Sequence, residues 1–360
     1  MENQKRSLLV LFGGASSEHR VSCDSAASVI DHLDKGNYGI YTVGITRDGE
    51  WFLTGFSTAE IANGDWINNP GNKRAVVTPD ASIHGLTVLP EDGSCRHLPV
   101  DVVFPVLHGK KGEDGSVQGL LELAEIPYVG AGSTASAACM DKAITKQIID
   151  RIGVKEADFY LVGRSAFADD PQGVLKETEQ YFGGKYPFFV KPAKAGSSVG
   201  ISKAKNSREL LAALALAAKE DEKIIIEETI SGRELEVAVL GNRRPKASVV
   251  GEILAANEFY DYDAKYLNEG SKTQIADGLS EEKEAEIRQA ALTVYKAMGC
   301  KGLARVDFFL NQQNEVLLNE INTLPGFTQI SMYPKLWEAT GIPYGELLDI
   351  LVKLALGEIE

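Results

Sequence analysis

The sequence predicts an α/β chain, α+β in parts, with a parallel-sheet unit leading two mixed units. Three observations carry that prediction. Residues 7–12 are an unbroken apolar run ending on Gly13-Gly14, residues 21–33 have helical spacing, and residues 38–45 are apolar again. This is the order of a strand, a crossover helix and a second parallel strand. Residues 187–192 and 199–203 are strand-like runs joined by a Gly/Ser loop. Residues 302–310 and 315–322 each alternate apolar and polar side chains around the turn-like 311–314, which reads as a hairpin.

Taken in order, the first helix has Ser22 as its candidate N-cap. Residues 50–98, rich in Gly, Pro, Asn and Asp, read as an elaborated hairpin region inside the first unit. Residues 100–107 form a buried strand closed by His108-Gly109, 117–124 a helix and 127–130 a short strand. Residues 133–153 are helix-rich, and a boundary falls at their start. Residues 207–218 are helical, 223–228 a strand, and a second boundary falls at Ser231-Gly232. The units are therefore 1–132, 133–231 and 232–360. In the last, 234–240 is a strand, 280–298 a charged amphipathic helix, and 344–356 a closing helix. There is no internal repeat.

Composition narrows the function. A net charge of -14 argues against non-specific nucleic-acid binding, although local Lys and Arg can still hold a nucleotide. The four cysteines are scattered without CxxC spacing, which fits a reduced, cytoplasmic protein. The N-terminus lacks a signal-peptide layout, and no apolar stretch is long enough for a membrane span.

The hairpin carries the chemistry. A four-residue loop pairing Leu310 with Glu315 puts Arg305 opposite Glu320 and Asp307 opposite Leu318. Arg305, Asp307, Glu320 and Asn322 then share one face. Asp307 and Glu320 become diagonal neighbours about 7–8 Å apart at the backbone. Two carboxylates and an amide oxygen suit Mg²⁺, which prefers oxygen ligands and keeps waters and phosphates around it. A solvated strand face is the plain alternative.

Three glycine loops add to this. Lys191-Pro-Ala-Lys-Ala-Gly196-Ser197-Ser198-Val-Gly200 joins two strands and has neither a Walker ending nor GxGxxG. Its N–H groups and hydroxyls suit phosphates, with Lys191 adding a point charge; on residues alone it is equally an ordinary turn. Gly13-Gly14-Ala-Ser16-Ser17-Glu18 sits where a strand meets a helix, a place that attracts ligands. Glu18 there suits an ammonium, or is an exposed acid in a turn. His108-Gly-Lys-Lys-Gly-Glu113-Asp114-Gly115 repeats the pattern, with a helix-capping turn as the alternative.

Together, GGASSEHRVS (13–22), HGKKGEDGSVQG (108–119), MDK (140–142), KPAKAGSSVG (191–200), EETISGRELEVAVLG (227–241), EFYDYDAKY (258–266), RVD (305–307) and NEINTLPGFTQIS (319–331) resemble the D-alanine–D-alanine ligase family of ATP-grasp enzymes. The resemblance covers nearly the whole chain and is weakest over 50–98. It implies three domains, an N-terminal Rossmann-like one and two α+β ones clamping ATP. It implies that one D-alanine carboxylate attacks the γ-phosphate of ATP. The amine of a second D-alanine then displaces phosphate from the acyl phosphate.

By the same resemblance, Asp307, Glu320 and Asn322 are ligands of two Mg²⁺ ions, with Mn²⁺ also accommodated. Lys142, Lys191 and Lys265 contact phosphates with Ser197 and Ser198. Arg305 serves the transferred phosphate and the developing oxyanion, with the Gly326 N–H as a second donor. Glu227, Glu228 and Ile230 form the adenine edge, and Glu234 meets the ribose. Glu18 anchors the first ammonium, His108 lies at the substrate, and Ser331 holds the second carboxylate beside Met332. Residues 258–266 resemble a lid in which Tyr266 bonds Ser197, and Ser197 bonds Glu18, excluding water. Related ligases making D-alanyl-D-lactate carry another residue at the Tyr266 position, so tyrosine favours an amine nucleophile. Asp263, where Glu is common, and Glu228 are mild departures. No side chain is an evident base for the attacking amine.

The leading expectation is D-alanyl-D-alanine synthesis for peptidoglycan, by a cytoplasmic homodimer without nucleic-acid or membrane partners. A D-alanine–D-serine ligase is the nearest rival, because pockets reject an added hydroxyl poorly. A different carboxylate–amine ligase, or a nucleotide-binding regulator without chemistry, fits Glu18, Arg305 and the metal set less well.

Overall fold

The computed structural model describes residues 5–55, 57–89, 93–194, 196, 199–254 and 272–360, and its strands form three sheets. In the first, β1 (Arg6–Gly13) lies between β2 (Tyr38–Ile45) and β7 (Val102–Val106), parallel to both. The expected parallel core is therefore present, but it accounts for three strands of seven. β3 (Trp51–Thr54), β4 (Lys73–Val77), β5 (Gly85–Val88) and β6 (Arg96–Pro99) extend the same sheet as an antiparallel run. The stretch read as 127–130 strand makes a single parallel bridge, Tyr128 to Val103.

Helix α1 (His19–His32) begins three residues before the expected Ser22 cap. Glu18 occupies the N-cap, and its N–H bonds Ser16 Oγ at 3.2 Å. Ser22 lies inside the helix. Its hydroxyl accepts the Gly13 N–H at 2.7 Å and donates to the Val106 carbonyl, joining the ends of β1 and β7. A serine mid-helix is tolerated when it serves a neighbouring backbone in this way.

The second sheet has four antiparallel strands, β8 (Phe159–Gly163), β9 (Phe188–Pro192), β10 (Ser202–Ala204) and β11 (Lys223–Glu228), in the order β10-β9-β11-β8. The expected 199–203 strand is shortened to β10. The third sheet has five, β12 (Gly232–Leu240), β13 (Lys246–Leu254), β14 (Lys272–Ile275), β15 (Leu303–Asn311) and β16 (Val316–Asn322), in the order β14-β13-β12-β15-β16.

Helices fill the layers. α2 (Thr58–Asn63) and a 3-10 turn (Asp65–Asn68) join α1 on one face of the first sheet, and α3 (Ser116–Leu123) covers the other. α4 (Ser133–Met140) and α5 (Lys142–Ile152) pack Ala135, Cys139 and Ile149 into the core of the third sheet, shared with α9 (Glu281–Ala297). α7 (Pro171–Tyr181), preceded by α6 (Arg164–Asp169), and α8 (Ser207–Glu220) cover the second sheet. α10 (Met332–Ala339) packs on the third sheet, where Tyr333 donates to the Val239 carbonyl of β12 at 2.9 Å, and α11 (Tyr344–Ala355) reaches β7 and α1 of the first unit, where Leu347 and Leu351 join the core of Val10, Phe104 and Val29. Among the described residues no helix is long and apolar enough to cross a membrane.

One packing contact gives a stability test. Trp66 is fully buried, edge-on to Phe12 at 5.0 Å between centroids. It lies flat over Gly44, where a Cβ would stand 2.4 Å from the ring. Trp66→Ala is expected to cost about 3–5 kcal/mol of unfolding free energy, measured by chemical denaturation. The variant is expected to leave nucleotide affinity unchanged.

Candidate active site

The ends of β1 and β7 and the facing surfaces of the second and third sheets enclose a cleft of about 950 Å³. Its lining includes Glu18, His108, Lys142, Lys191, Glu227, Glu228, Ile230, Glu234, Arg305, Asp307, Glu320, Asn322, Gly326, Ser331 and Met332. Every sequence-predicted site residue among those described thus lies on one surface. Ser197, Ser198, Lys265 and Tyr266 lie outside the described residues, and so does the proposed lid, 258–266.

The β15–β16 hairpin is the centre of the cleft. Its register corrects the expected one. Asn311 pairs with Glu315 across a three-residue loop in which Asn314 takes φ +61°, so Leu310 faces Val316 and Phe308 faces Leu318. A bulge at Asn319 then advances β16 by one residue, bringing Asp307 opposite Glu320 and Arg305 opposite Asn322. The four side chains share a face as expected, but Asp307 and Glu320 are direct cross-strand partners, about 5 Å apart at Cβ, rather than diagonal ones.

β12 completes the row. Glu236 lies opposite Asp307, so Glu236, Asp307 and Glu320 stand in line across three strands. Such a line is self-repelling unless cations enter it. Arg305, in the neighbouring row, supplies the first: Nε and a terminal nitrogen grip Asp307 at 2.7 Å each, and Nε is 3.1 Å from Glu236. Burial opposes the arginine's charge, yet Asp307 and Glu236 raise its pKa well above the ordinary value, so it stays a cation. Lys142, at the start of α5, lies 3.4 Å from Glu320. Asn322 donates its Nδ2 to Asp307 at 2.9 Å. Among the described residues no three His, Cys, Asp or Glu side chains converge into a metal cage of their own. The donor set instead fits a hard cation held by Asp307, Glu320 and the Asn322 amide oxygen, with phosphates and waters completing it. Arg305 and the Asn322 amide would have to turn to admit it.

On the opposite wall, Glu227 at the end of β11 is buried between two lysines, Lys191 at 2.5 Å and Lys146 at 2.8 Å. Burial alone would raise its pKa, but the two ammonium groups outweigh that and pull it down to about 2. Its charge therefore stabilises the fold above the ordinary carboxylate range, and that contribution is lost as pH falls toward about 2. The Glu228 carboxylate accepts the Asp158 N–H at 2.9 Å.

At the end nearest the first sheet, Glu18 is 8 % exposed. Two glycines close on it. A Cβ on Gly109 would stand 2.7 Å, and one on Gly196 3.1 Å, from Glu18 Oε2. His108 is buried, with Nδ1 3.0 Å from the Leu324 carbonyl and 3.5 Å from Glu113, and Nε2 3.4 Å from Ser25 Oγ. Burial disfavours a charged ring, yet the Glu113 carboxylate outweighs it and lifts His108 above its ordinary pKa. Ser331 stands at the N-cap position of α10 without bonding the helix N–H groups, and its Oγ takes the Thr328 N–H at 3.1 Å instead. A Cβ on Gly326 would be 3.0 Å from that oxygen, so glycine allows the close approach.

Four residues were given no role by the sequence: Glu113 and Glu236, which line the cleft, and Asp141 and Lys146, which lie behind its lining. Glu236 was findable, because it shares a strand face with Glu234. Asp141, which caps α5 and bonds Lys223, was findable as an Asp just before a helix. Glu113 was findable, because it stands in the same loop as its partner His108, whereas Lys146 carries no local signal, because its partners Glu227 and Glu156 lie outside its helix.

Two antiparallel sheets facing each other across an acid- and lysine-lined cleft, closed by the strand ends of a Rossmann-like sheet, define an ATP-grasp enzyme. The comparisons narrow the class. The family models for the D-ala D-ala ligase N-terminus and C-terminus match residues 7–131 and 148–353. A D-alanine–D-alanine ligase of Thermoanaerobacter sp. (strain X514) is 49% identical over 98% of this chain and 97% of its own. The solved VanG D-Ala:D-Ser ligase of Enterococcus faecalis is 38% identical with a TM-score of 0.89, covering 98% of this chain and 100% of its own. The solved D-alanine–D-alanine ligase of Coxiella burnetii is 36% identical with a TM-score of 0.84, covering 98% and 96%. The chain belongs to the D-alanine–D-alanine ligase family.

Proposed function

We propose that this chain is an ATP-dependent ligase that joins two D-alanines into D-alanyl-D-alanine through an acyl phosphate, for peptidoglycan precursor synthesis. One observation carries the reading: a single cleft is lined by the Asp307–Glu320 pair with Arg305, by Lys142 and Lys191, and by Glu18 and Ser331. These are the charges needed for a polyphosphate, an ammonium and a carboxylate.

Phosphoryl transfer is mainly positioning and charge neutralisation. Lys142 and Lys191 hold the phosphates with Lys265, Ser197 and Ser198. Glu227, Glu228 and Ile230 take the adenine edge, and Glu234 the ribose. Glu18 fixes the first ammonium, with His108 beside it, so that the D-alanine carboxylate is presented to the γ-phosphorus. The Arg305 fork and the Gly326 N–H stabilise oxygen charge as the acyl phosphate forms and as the second amine attacks its carbonyl. Ser331 and Met332 place the second D-alanine, and Tyr266 closes the lid over Ser197. Asp307, Glu320 and Asn322 would hold Mg²⁺, two ions in all, with Mn²⁺ suiting the same oxygens. Bound there, the ions would neutralise triphosphate charge.

We further propose three lobes, 1–132, 133–231 and 232–360, a homodimer on the family resemblance, and a cytoplasmic location. Sedimentation tests the dimer.

The VanG neighbour gives the second reading, ligation of D-serine as nucleophile. Equimolar D-alanine and D-serine at neutral pH are expected to yield mainly D-alanyl-D-alanine, read by mass spectrometry of the dipeptides. Predominance of the mixed dipeptide would replace the first reading with the second.

A further inference from the structure

Lys146 is the least explained charge near the cleft. It lies on α5 and is 3 % exposed. Its Nζ is 2.8 Å from Glu227, 3.3 Å from Glu156 and 3.5 Å from the Ala157 carbonyl, over the Phe159 ring at 4.8 Å. It does not line the cleft, whereas Glu227 and Lys191 do. An ammonium this deep contacts no ligand, so it acts through the carboxylates it pairs with.

Lys191 is asked to do two things. It closes on Glu227 at 2.5 Å, and in the proposed complex it meets the phosphates. When a nucleotide draws it away, Lys146 is the cation left on Glu227. A buried carboxylate without a cation takes up a proton. The protonation state matters for recognition. A carboxylate accepts from the 6-amino group of adenine and repels a 6-oxo group. A protonated acid donates to the 6-oxo oxygen instead.

We propose that Lys146 is a positioning residue that keeps Glu227 an acceptor in the loaded enzyme, and thereby sets the preference for a 6-amino over a 6-oxo purine nucleotide. The inference rests on the reading of Glu227 as part of the adenine edge. The charged groups facing Glu227 are Lys146 from α5, Lys191 from β9, and Glu156 from the segment before β8, itself beside Asp150. Lys203 of β10 stands in the same cross-strand row, over the Phe189 ring at 5.8 Å. Lys146 and Lys191 are thus the cations directly on Glu227, and only Lys146 is clear of the cleft.

The test compares kcat/KM for ATP and inosine triphosphate in the full-length enzyme at about pH 6 and pH 7.5, where the 6-oxo base keeps its N1 proton and a carboxyl raised by burial changes its protonation. In the wild type the ATP preference is expected to be equal at both. In Lys146→Met it is expected to shrink about tenfold or more, and further at the lower pH. Lys146→Arg, which keeps the charge, is expected to retain it. Should Lys146→Met fail to fold, the double variant Lys146→Met/Glu156→Gln removes the cation with its outer anion and carries the same expectation. Glu227→Gln separates the two readings. If it narrows the preference while loss of Lys146 leaves it unchanged, the role of Lys146 is overturned and Glu227 stays at the base. If Glu227→Gln changes nothing, both fall.

Discussion

Asp307→Asn is expected to lower kcat by about 10²- to 10³-fold and to raise the Mg²⁺ concentration needed for half-maximal rate. The geometry gives the reason. Asp307 is the middle member of the line Glu236, Asp307, Glu320, and both of its oxygens are gripped by Arg305. It is therefore the residue that both the arginine and the cation need. Asparagine keeps one acceptor for the guanidinium and removes the charge, so Arg305 falls back on Glu236, 3.1 Å away. The fold should survive, because the arginine keeps a buried partner and the change is isosteric. A loss of about 1.5–3 kcal/mol, the worth of a hydrogen bond to a charged group, is expected in thermal unfolding. Glu320→Gln is expected to act in the same direction, with Lys142 losing its 3.4 Å partner. Wild-type turnover of both variants at limiting Mg²⁺ would remove the hairpin from the phosphoryl-transfer site.

The hairpin also shows how far sequence alone reaches. Alternation over residues 304–308 fixed which side chains share a face, because that depends only on period two. The register depended on two local irregularities that alternation does not encode. Asn314 adopts a left-handed conformation, which shortens the loop to three residues, and Asn319 bulges. Both are asparagines, a residue that tolerates such backbone, so the signal existed without being decisive. The first helix failed for a related reason. A serine near a helix start reads as a cap, but Ser22 spends its hydroxyl on β1 and β7 instead. The sequence analysis assigned no element to residues 332–339, which form α10 with Pro334 in the first turn. Proline is harmless there, since the first-turn N–H groups have no helical partner anyway. That α10 covers the third sheet while α11 returns to the first was unreadable in principle, because an amphipathic stripe does not say which sheet it covers. Candidate site residues fared better than their supports: the fifteen described ones line one cleft, while Lys146 and Glu236 act through partners distant in sequence.

Glu18→Gln is expected to weaken the first D-alanine by about 10- to 100-fold in KM, with the KM for ATP changed little. A hydrogen bond to a charged group is worth roughly 1.5–3 kcal/mol, and each 1.4 kcal/mol is about tenfold. Glu18 is built for a small cation. It is 8 % exposed and occupies the N-cap of α1, at the rim of the cleft. Gly109 and Gly196 approach so closely that a side chain at either would displace its Oε2. This leads to a second expectation from an independent position. Gly109→Ala adds a Cβ 2.7 Å from Glu18 Oε2, at a backbone φ of +71° that alanine rarely takes, so it should raise the same KM while leaving the carboxylate charge intact. Steady-state kinetics with D-alanine and ATP varied separately would read both variants. Should Glu18→Gln disturb only the ATP term, the carboxylate belongs to the nucleotide and the ammonium must be sought elsewhere in the cleft. Should both variants move the first D-alanine alone, the amino end of the substrate is fixed at α1, and its carboxylate is left to point toward Arg305 and the phosphates.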